Sequence, residues 1–465
     1  MPASGLDDAL AKLHADGASA ATIAAFEHAA RQFAAGERGV LPEVDIEPVE
    51  ELADAEHLPE PGPDAGALLD RTVVLKLNGG LGTSMGMTMA KSLLEVKDGL
   101  TFLDLIARQM IALRERYAGP RLPLILMNSF RTRADSLAAL AAYGDVSADL
   151  PPDFLQSRVP KLLDDGSLGP ASWPQDEELE WAPPGHGDLY PALAGSGMLE
   201  ALLSRGYRWA FVSNADNLGA TLDLAILSWI ARDELPFLME VADRTPADRK
   251  GGHLARRADD GGLVLREVAQ TPESDLDAFQ DIARHRFFNT NSVWLDLERV
   301  AADLAEDGVL ELPMIVNRKT VDPADPGSPG VVQLETAMGA AIACFNGAEG
   351  VRVPRSRFLP VKTTDDLLVL RSDAYVLDER SHVVGAPGRE DAAPPLVRLD
   401  PACFKLVADF DARFPHGAPS LVGCESLSVE GDVTFGRDVV VRGTVTVAAE
   451  GDAPLELADG TVLEG

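Results

Sequence analysis

A mixed, mostly parallel α/β sheet flanked by helices, followed by a small parallel β-helix, is the fold this 465-residue sequence predicts. Three observations predict it. Between residues 71 and 375 short apolar runs alternate with amphipathic stretches. The first of those runs breaks into a glycine loop, "LKLNGGLGTSMGMTMAKS" (residues 75–92). Beyond residue 420 apolar residues recur every six positions.

The elements follow in chain order. Residues 1–47 carry alanine-rich helical patterning, and "PEVDIEPVEELADAEHLPEPGPDAG" is acidic and proline-rich, the composition of a connector, so residues 1–70 read as a helical segment plus acidic linker. From 71 to 375 the runs "TVVLKL", "LPLILMN", "WAFVSN", "PFLMEV" and "SVWLDL" read as strands, with helices such as "FLDLIARQMIALRERY" between them. In such sheets ligands bind at the carboxyl ends of the strands. Residues 376–465 form the third unit. There Leu427, Val433, Val439 and Val445 fall six apart, as do Val429, Phe435, Val441 and Val447, with Gly431 and Gly443 between them. Period six suits hexapeptide coils, and a meander of alternating strands is the alternative.

Composition excludes several function classes. At 46% apolar residues the chain is long enough for one large core with satellites. A net charge of -33 leaves no bulk basic face for nucleic acid or an anionic membrane. Cys344, Cys403 and Cys424 are odd in number and widely spaced, against a disulfide framework or zinc cluster and in favour of a reducing compartment. With no long apolar run and no basic-then-apolar start, the expected location is cytoplasmic.

The glycine loop fails two familiar phosphate patterns. A Walker loop requires glycines where Ala90 and Met85 stand, and the dinucleotide fingerprint, begun by Gly80 and Gly82, meets Met85 at its sixth position. What remains is a strand-then-glycine loop whose backbone can approach a nucleotide closely; a tight turn would use the same glycines. Beyond the strand "WAFVSN", Asp216 is a candidate Mg²⁺ ligand beside Asn214, although Asn214, Asp216 and Asn217 are all turn formers too. His186 sits between two glycines in "PPGHGDLYPAL", where it can meet a phosphate closely or lie on a surface loop.

Gly251, Gly252, Glu267, Asn289, Asn291 and Glu335 offer groups of the kind that read sugar hydroxyls, or that cap and turn the chain. Lys362 precedes a helix that Thr364 or Asp365 can cap. With nine lysines against thirty-two arginines, Lys91 and Lys362 stand out slightly. Arg284, Arg286, Arg355 and Arg357 lie near the same segments, with exposed salt bridges as their default role.

The segments "LKLNGGLGTSMG", "AKSLLEVKDG", "TFLDL", "PPGHGDLY", "FVSNADNLGAT", "KGGHL", "RHRFFNTNS", "QLETAMGAAI" and "VPRSRFLPVKTTDDLLVLRSDAY" resemble, in order, the eukaryotic-type UTP–glucose-1-phosphate uridylyltransferases over roughly residues 70–380. The parasite-type members are most similar around "GMTMAKSLLEVKDG". Animal and plant members carry a further lysine and a Gly-Pro pair where this chain has Thr88, Met89 and Ala90, which leaves open whether another cation fills that role.

The resemblance implies a nucleotidyltransferase (GT-A-like) domain and a C-terminal left-handed β-helix. It also implies a reversible, Mg²⁺-dependent reaction in which UTP and glucose-1-phosphate give UDP-glucose and pyrophosphate. By the same resemblance, Leu81, Gly82, Gln156 and Gly185 hold the uridine, and Asp216 binds Mg²⁺. Asn214, Gly252, Glu267, Asn289 and Asn291 lie at the glucose, while Lys91, His186 and Lys362 bind phosphate.

Three other readings compete. One is a uridylyltransferase for galactose-1-phosphate, N-acetylglucosamine-1-phosphate or several sugar phosphates. A non-catalytic UDP-sugar sensor is the second, disfavoured by the pair of phosphate lysines. The third, a dehydrogenase, is disfavoured by the failed dinucleotide spacing. Because a β-helix can end-stack, oligomeric state stays open.

Overall fold

The computed structural model describes residues 3–63, 65–390, 392–449 and 453–465. Its centre is a large sheet whose main path runs through eight strands. These are β1 (Ala53–Asp54), β2 (Thr72–Asn78), β3 (Leu124–Asn128), β4 (Asp153–Leu155), β5 (Trp209–Asn214), β6 (Phe237–Asp243), β7 (Phe287–Asp296) and β8 (Glu349–Arg352). Their spatial order is β1-β8-β6-β7-β5-β2-β3-β4. All neighbours are parallel except that β7 runs antiparallel to both β5 and β6. Strand β2 shows why the runs lack a polar face: Val73 and Leu75 enter the core on one side and Val74 the core on the other.

Helices cover both faces. The helix α1 (Ala3–Ala15) and α2 (Ala20–Ala34) pair with each other, and Leu6, Leu13 and Phe26 pack with Val159, Leu162, Met314 and Leu334. Helix α3 (Phe102–Arg116) starts at a Thr101–Asp104 capping box. Helices α4 (Leu224–Asp233) and α5 (Leu297–Asp307) are each capped by an aspartate, Asp223 and Asp296, that accepts from the first-turn N–H groups. Among the described residues no helix is long and apolar enough to cross a membrane.

The acidic stretch read as a connector does more than connect. Ile46–Pro48 pairs antiparallel with His253–Arg257, and β1 pairs parallel with β8. Its proline-rich composition hides two apolar anchors, Ile46 and Val49, both buried.

In the tail, β9 (Leu396–Leu399), β10 (Ser420–Glu430), β12 (Val440–Ala448) and β14 (Val462–Glu464) form one parallel sheet, and β11 (Val433–Phe435) pairs parallel with β13 (Leu455–Leu457). Leu427 lies opposite Val445 and Val429 opposite Val447. All eight hexad positions are buried, and they belong to the same core as Val74, Phe211 and helix α6 (Thr364–Arg371). The helix α6 begins differently from the sequence expectation: Thr363 is its N-cap, and Asp366 accepts from the Lys362 and Thr363 N–H groups at 2.7 and 2.9 Å. Thr364 and Asp365 fall inside the first turn because the Asp366 carboxylate reaches back to the residues before it.

Candidate active site

Four adjacent parallel strands, β5, β2, β3 and β4, end at one edge of the sheet, and the residues just past them wall a cleft of about 580 Å³. Gly79–Leu81 follow β2, Ser129–Arg131 follow β3, Gln156 follows β4 and Asp216 follows β5. A buried polar ladder holds the strand ends in step. Asn78 Nδ2 donates to Asn128 Oδ1 at 2.7 Å, and Asn128 Nδ2 donates to Asp153 Oδ2 at 3.1 Å. Arg133 pairs with the same Asp153. Asparagine is suited here because each amide both donates and accepts.

Lys91, Leu81, Gln156, Gly185, His186, Asn214 and Asp216, seven of the residues singled out in the sequence, all line this cleft. Gly82 sits just behind it with φ +66°, a conformation that glycine adopts without strain and that returns the loop toward Lys91. Gln156 Nε2 donates to the Gly185 carbonyl at 3.2 Å, joining two segments expected at the uracil. Lys91 Nζ lies 2.6 Å from Asp216 Oδ2, so the expected phosphate cation and the expected metal carboxylate occupy one point of the wall.

His186 Nδ1 accepts the Met338 N–H at 3.0 Å. The proton of the neutral ring therefore belongs on Nε2. Burial pushes the imidazole down to about 4, so near neutral pH it contributes a hydrogen-bond donor and no charge. Two residues on, burial raises the Asp188 carboxyl to about 7, opposed by hydrogen bonds from Ser157, whose N–H lies 2.6 Å away. A carboxyl raised above its unfolded value binds more protons folded than unfolded between about pH 4 and 7, so its contribution to stability declines as pH rises across that window. Asp188→Asn is expected to flatten the fall of Tm between pH 4 and 7; an unchanged slope in thermal melts would contradict this.

The sugar candidates gather beside the cleft. Strand β7 carries a bulge where the register with β6 shifts between Glu240 and Val241, and there Asn291 has φ +60°. The bulge brings Asn291 Nδ2 to 2.8 Å from Asn214 Oδ1, while Asn291 N–H donates to Asn289 Oδ1 at 2.9 Å. Asn289 N–H donates to the Gly252 carbonyl, and a Cβ on Gly252 would stand 2.5 Å from the Glu267 carboxyl. Burial raises Glu267 to about 7, with Lys362 pulling it back down. Lys362 itself is exposed and does not line the cleft with Lys91; its ammonium lies over the Phe358 ring on the Glu267 side.

Asp216 suits Mg²⁺. Among the described residues no group of three or more His, Cys, Asp or Glu can hold a metal ion, which disfavours a zinc cage. Mg²⁺ is instead held by one or two carboxylates together with water and substrate phosphates, and Asp216 presents such a carboxylate at a strand end, about a fifth exposed.

Three of the four arginines near the motifs take the default role of ion pairs at the surface. Arg284 pairs with Glu43, Arg286 with Asp243 and Arg355 with Asp248. Arg357 is buried on Glu240 rather than exposed, with Nη2 also donating to the Thr221 carbonyl at 2.9 Å. Residues missed in the sequence include Phe130, 62% exposed at the cleft wall, and Arg158, whose guanidinium lies over the Phe130 and Trp181 rings. Phe130 carries a findable signal: it is the second residue past a strand's carboxyl end.

A family model described as UTP–glucose-1-phosphate uridylyltransferase matches residues 23–442. The barley (Hordeum vulgare) UTP–glucose-1-phosphate uridylyltransferase is 45% identical over 398 residues, 86% of this chain and 81% of that protein. The Saccharomyces cerevisiae one is 44% identical over 403 residues, 86% of this chain and 79% of its own length. Among solved structures, a mutant UDP-glucose pyrophosphorylase from Leishmania major in complex with UDP-glucose superposes with a TM-score of 0.92 at 44% identity, covering 99% of this chain and 98% of that one. The Trypanosoma brucei UDP-glucose phosphorylase gives a TM-score of 0.89 at 45% identity, again over 99% and 98%.

Proposed function

The chain belongs to the UTP–glucose-1-phosphate uridylyltransferase family, and from that premise we propose how its cleft works. It is an enzyme that transfers the uridylyl group of UTP to glucose-1-phosphate, giving UDP-glucose and pyrophosphate. The observation that carries the site assignment is one cleft in which the Gly79–Leu81 loop, Gln156, His186, Lys91 and Asp216 converge.

Gln156, Leu81, Gly82 and Gly185 read the uracil end. Asn214, Asn289, Asn291, Gly252 and Glu267 read the sugar. The phosphate oxygen of glucose-1-phosphate is already ionised near neutral pH, so it attacks the α-phosphorus of UTP in line while the bond to pyrophosphate breaks. No general base is needed, in keeping with a His186 whose Nδ1 lone pair is taken by the Met338 N–H. The task left to the protein is to bring two anions together and to meet the charge that develops on the phosphoryl oxygens. Lys91 serves the pyrophosphate side, His186 donates through Nε2–H, and Lys362 bridges the incoming phosphate and the α-phosphoryl group.

Asp216 would hold Mg²⁺, which would supply charge neutralisation to the triphosphate. Asp216→Asn is then expected to raise the Mg²⁺ concentration needed for half-maximal rate; an unchanged metal titration would remove Asp216 from this role. The net charge of -33 repels UTP only at long range, since screening over ~8 Å at physiological salt leaves the local cations in control.

Two further readings belong with this one. The parallel strands of the tail, with their buried hexads, support a short β-helix, for which the family resemblance implies a left hand. Sparse, free cysteines support a reducing, cytoplasmic setting. The decisive experiment is pyrophosphate release from UTP with glucose-1-phosphate, galactose-1-phosphate or N-acetylglucosamine-1-phosphate. Turnover favouring glucose-1-phosphate is expected; preference for another sugar would keep the chemistry and overturn the substrate.

A further inference from the structure

Asn217 stands one residue beyond Asp216 and is 2% exposed. As a simple turn former it would need only the bond it makes locally, Oδ1 accepting the Gly219 N–H at 3.2 Å. Its other two bonds cross to a segment some 140 residues away. Nδ2 donates to the Arg357 carbonyl at 3.2 Å, and Oδ1 also accepts the Leu359 N–H at 2.8 Å. Backbone contacts extend the seam: Asn217 and Pro360 form an antiparallel bridge, and the Val361 N–H donates to the Asp216 carbonyl at 3.3 Å. The fit is close enough that a Cβ on Gly219 would stand 2.4 Å from the Ser356 carbonyl oxygen. Lys362 is the next residue along, and its side chain is exposed. A long, exposed side chain in that setting has its reach decided by where its backbone is pinned.

We propose that Asn217 is a positioning residue for uridylyl transfer: its carboxamide clamps the 357–361 segment to the turn after β5, so that Lys362 and Asp216 address the same phosphates. The proposal deepens the site assignment above and rests on Lys362 acting at the reacting phosphates. Because Asn217 works through Lys362, its loss costs rate only while Lys362 is present.

A double-mutant cycle on the full chain tests this, with kcat and KM for UTP measured for Asn217→Ala, Lys362→Ala and the double variant, and UDP-glucose binding as the check on folding. Asn217→Ala is expected to lower kcat about 10-fold, inside the ~10²-fold that a 1 Å misplacement can cost, with KM for UTP nearly unchanged. Added to Lys362→Ala, it should cost nothing more. Should Asn217→Ala fail to yield folded protein, Asn217→Ser, which can at most keep the Gly219 bond, carries the same cycle. Normal kcat in the single variant, or losses that multiply in the double variant while Lys362→Ala alone is slow, would overturn the role of Asn217. Normal kcat in Lys362→Ala would overturn the underlying assignment as well, and is read separately.

Discussion

Lys362→Ala is expected to lower kcat by about 10²-fold or more, the scale of losing one donor aimed at charge that develops in the transition state. The ammonium is exposed and, among the described residues, makes no side-chain hydrogen bond or ion pair, its nearest buried charge being the Glu267 carboxyl that it pulls down, so its removal should cost the fold little. Steady-state kinetics with UTP and glucose-1-phosphate, together with a thermal melt, separate the two effects. A near-normal kcat would remove Lys362 from the reaction; a large loss of Tm would mean that its role is structural.

Glu240→Ala is expected to be strongly destabilising. Glu240 is fully buried in β6 and accepts from Arg357 Nη2 at 2.6 Å, Arg357 Nε at 2.8 Å and Trp294 Nε1 at 2.9 Å. Desolvation pulls the Arg357 guanidinium down, and the Glu240 carboxylate more than offsets this. Nearby, burial, with the Arg357 charge adding to it and Glu240 opposing it, pushes Lys76 down to about 7. Removing Glu240 leaves the guanidinium buried without its counter-charge, at a cost of about 3–5 kcal/mol. A Tm fall of about 5 °C is the expected reading, and a wild-type Tm would refute the account. Replacing the pair together, Glu240→Met with Arg357→Met, should recover much of the loss, because the expensive state is the unpaired charge.

Both predictions concern residues whose sequence signals differ. Lys362 stood out as a rare lysine in a recognisable segment, and the structure sets it beyond the Lys91 wall, on the Glu267 side. Its helix cap lies one residue before Thr364 and two before Asp365, since Thr363, Thr364 and Asp365 are all plausible caps by type and only the Asp366 carboxylate selects Thr363. Arg357 was grouped with surface arginines, because nothing in "VPRSRFLP" reveals that Glu240 lies beneath it. The hexad positions, by contrast, were readable one by one, since each depends only on its spacing along the chain.

By itself, then, the sequence determined the groups that stand past strand ends, the glycine loop and Asp216, because strand periodicity and loop chemistry are local, while His186 and the two lysines were singled out by their segments' resemblance to the family. Tertiary structure alone decided how those groups meet. The Lys91–Asp216 pair joins positions 125 residues apart, the β7 bulge turns Asn291 onto Asn214 across 77, and Asn217 holds a segment some 140 residues away. Such contacts arise when separate strands close over a shared core, and no local spacing encodes the distance between them.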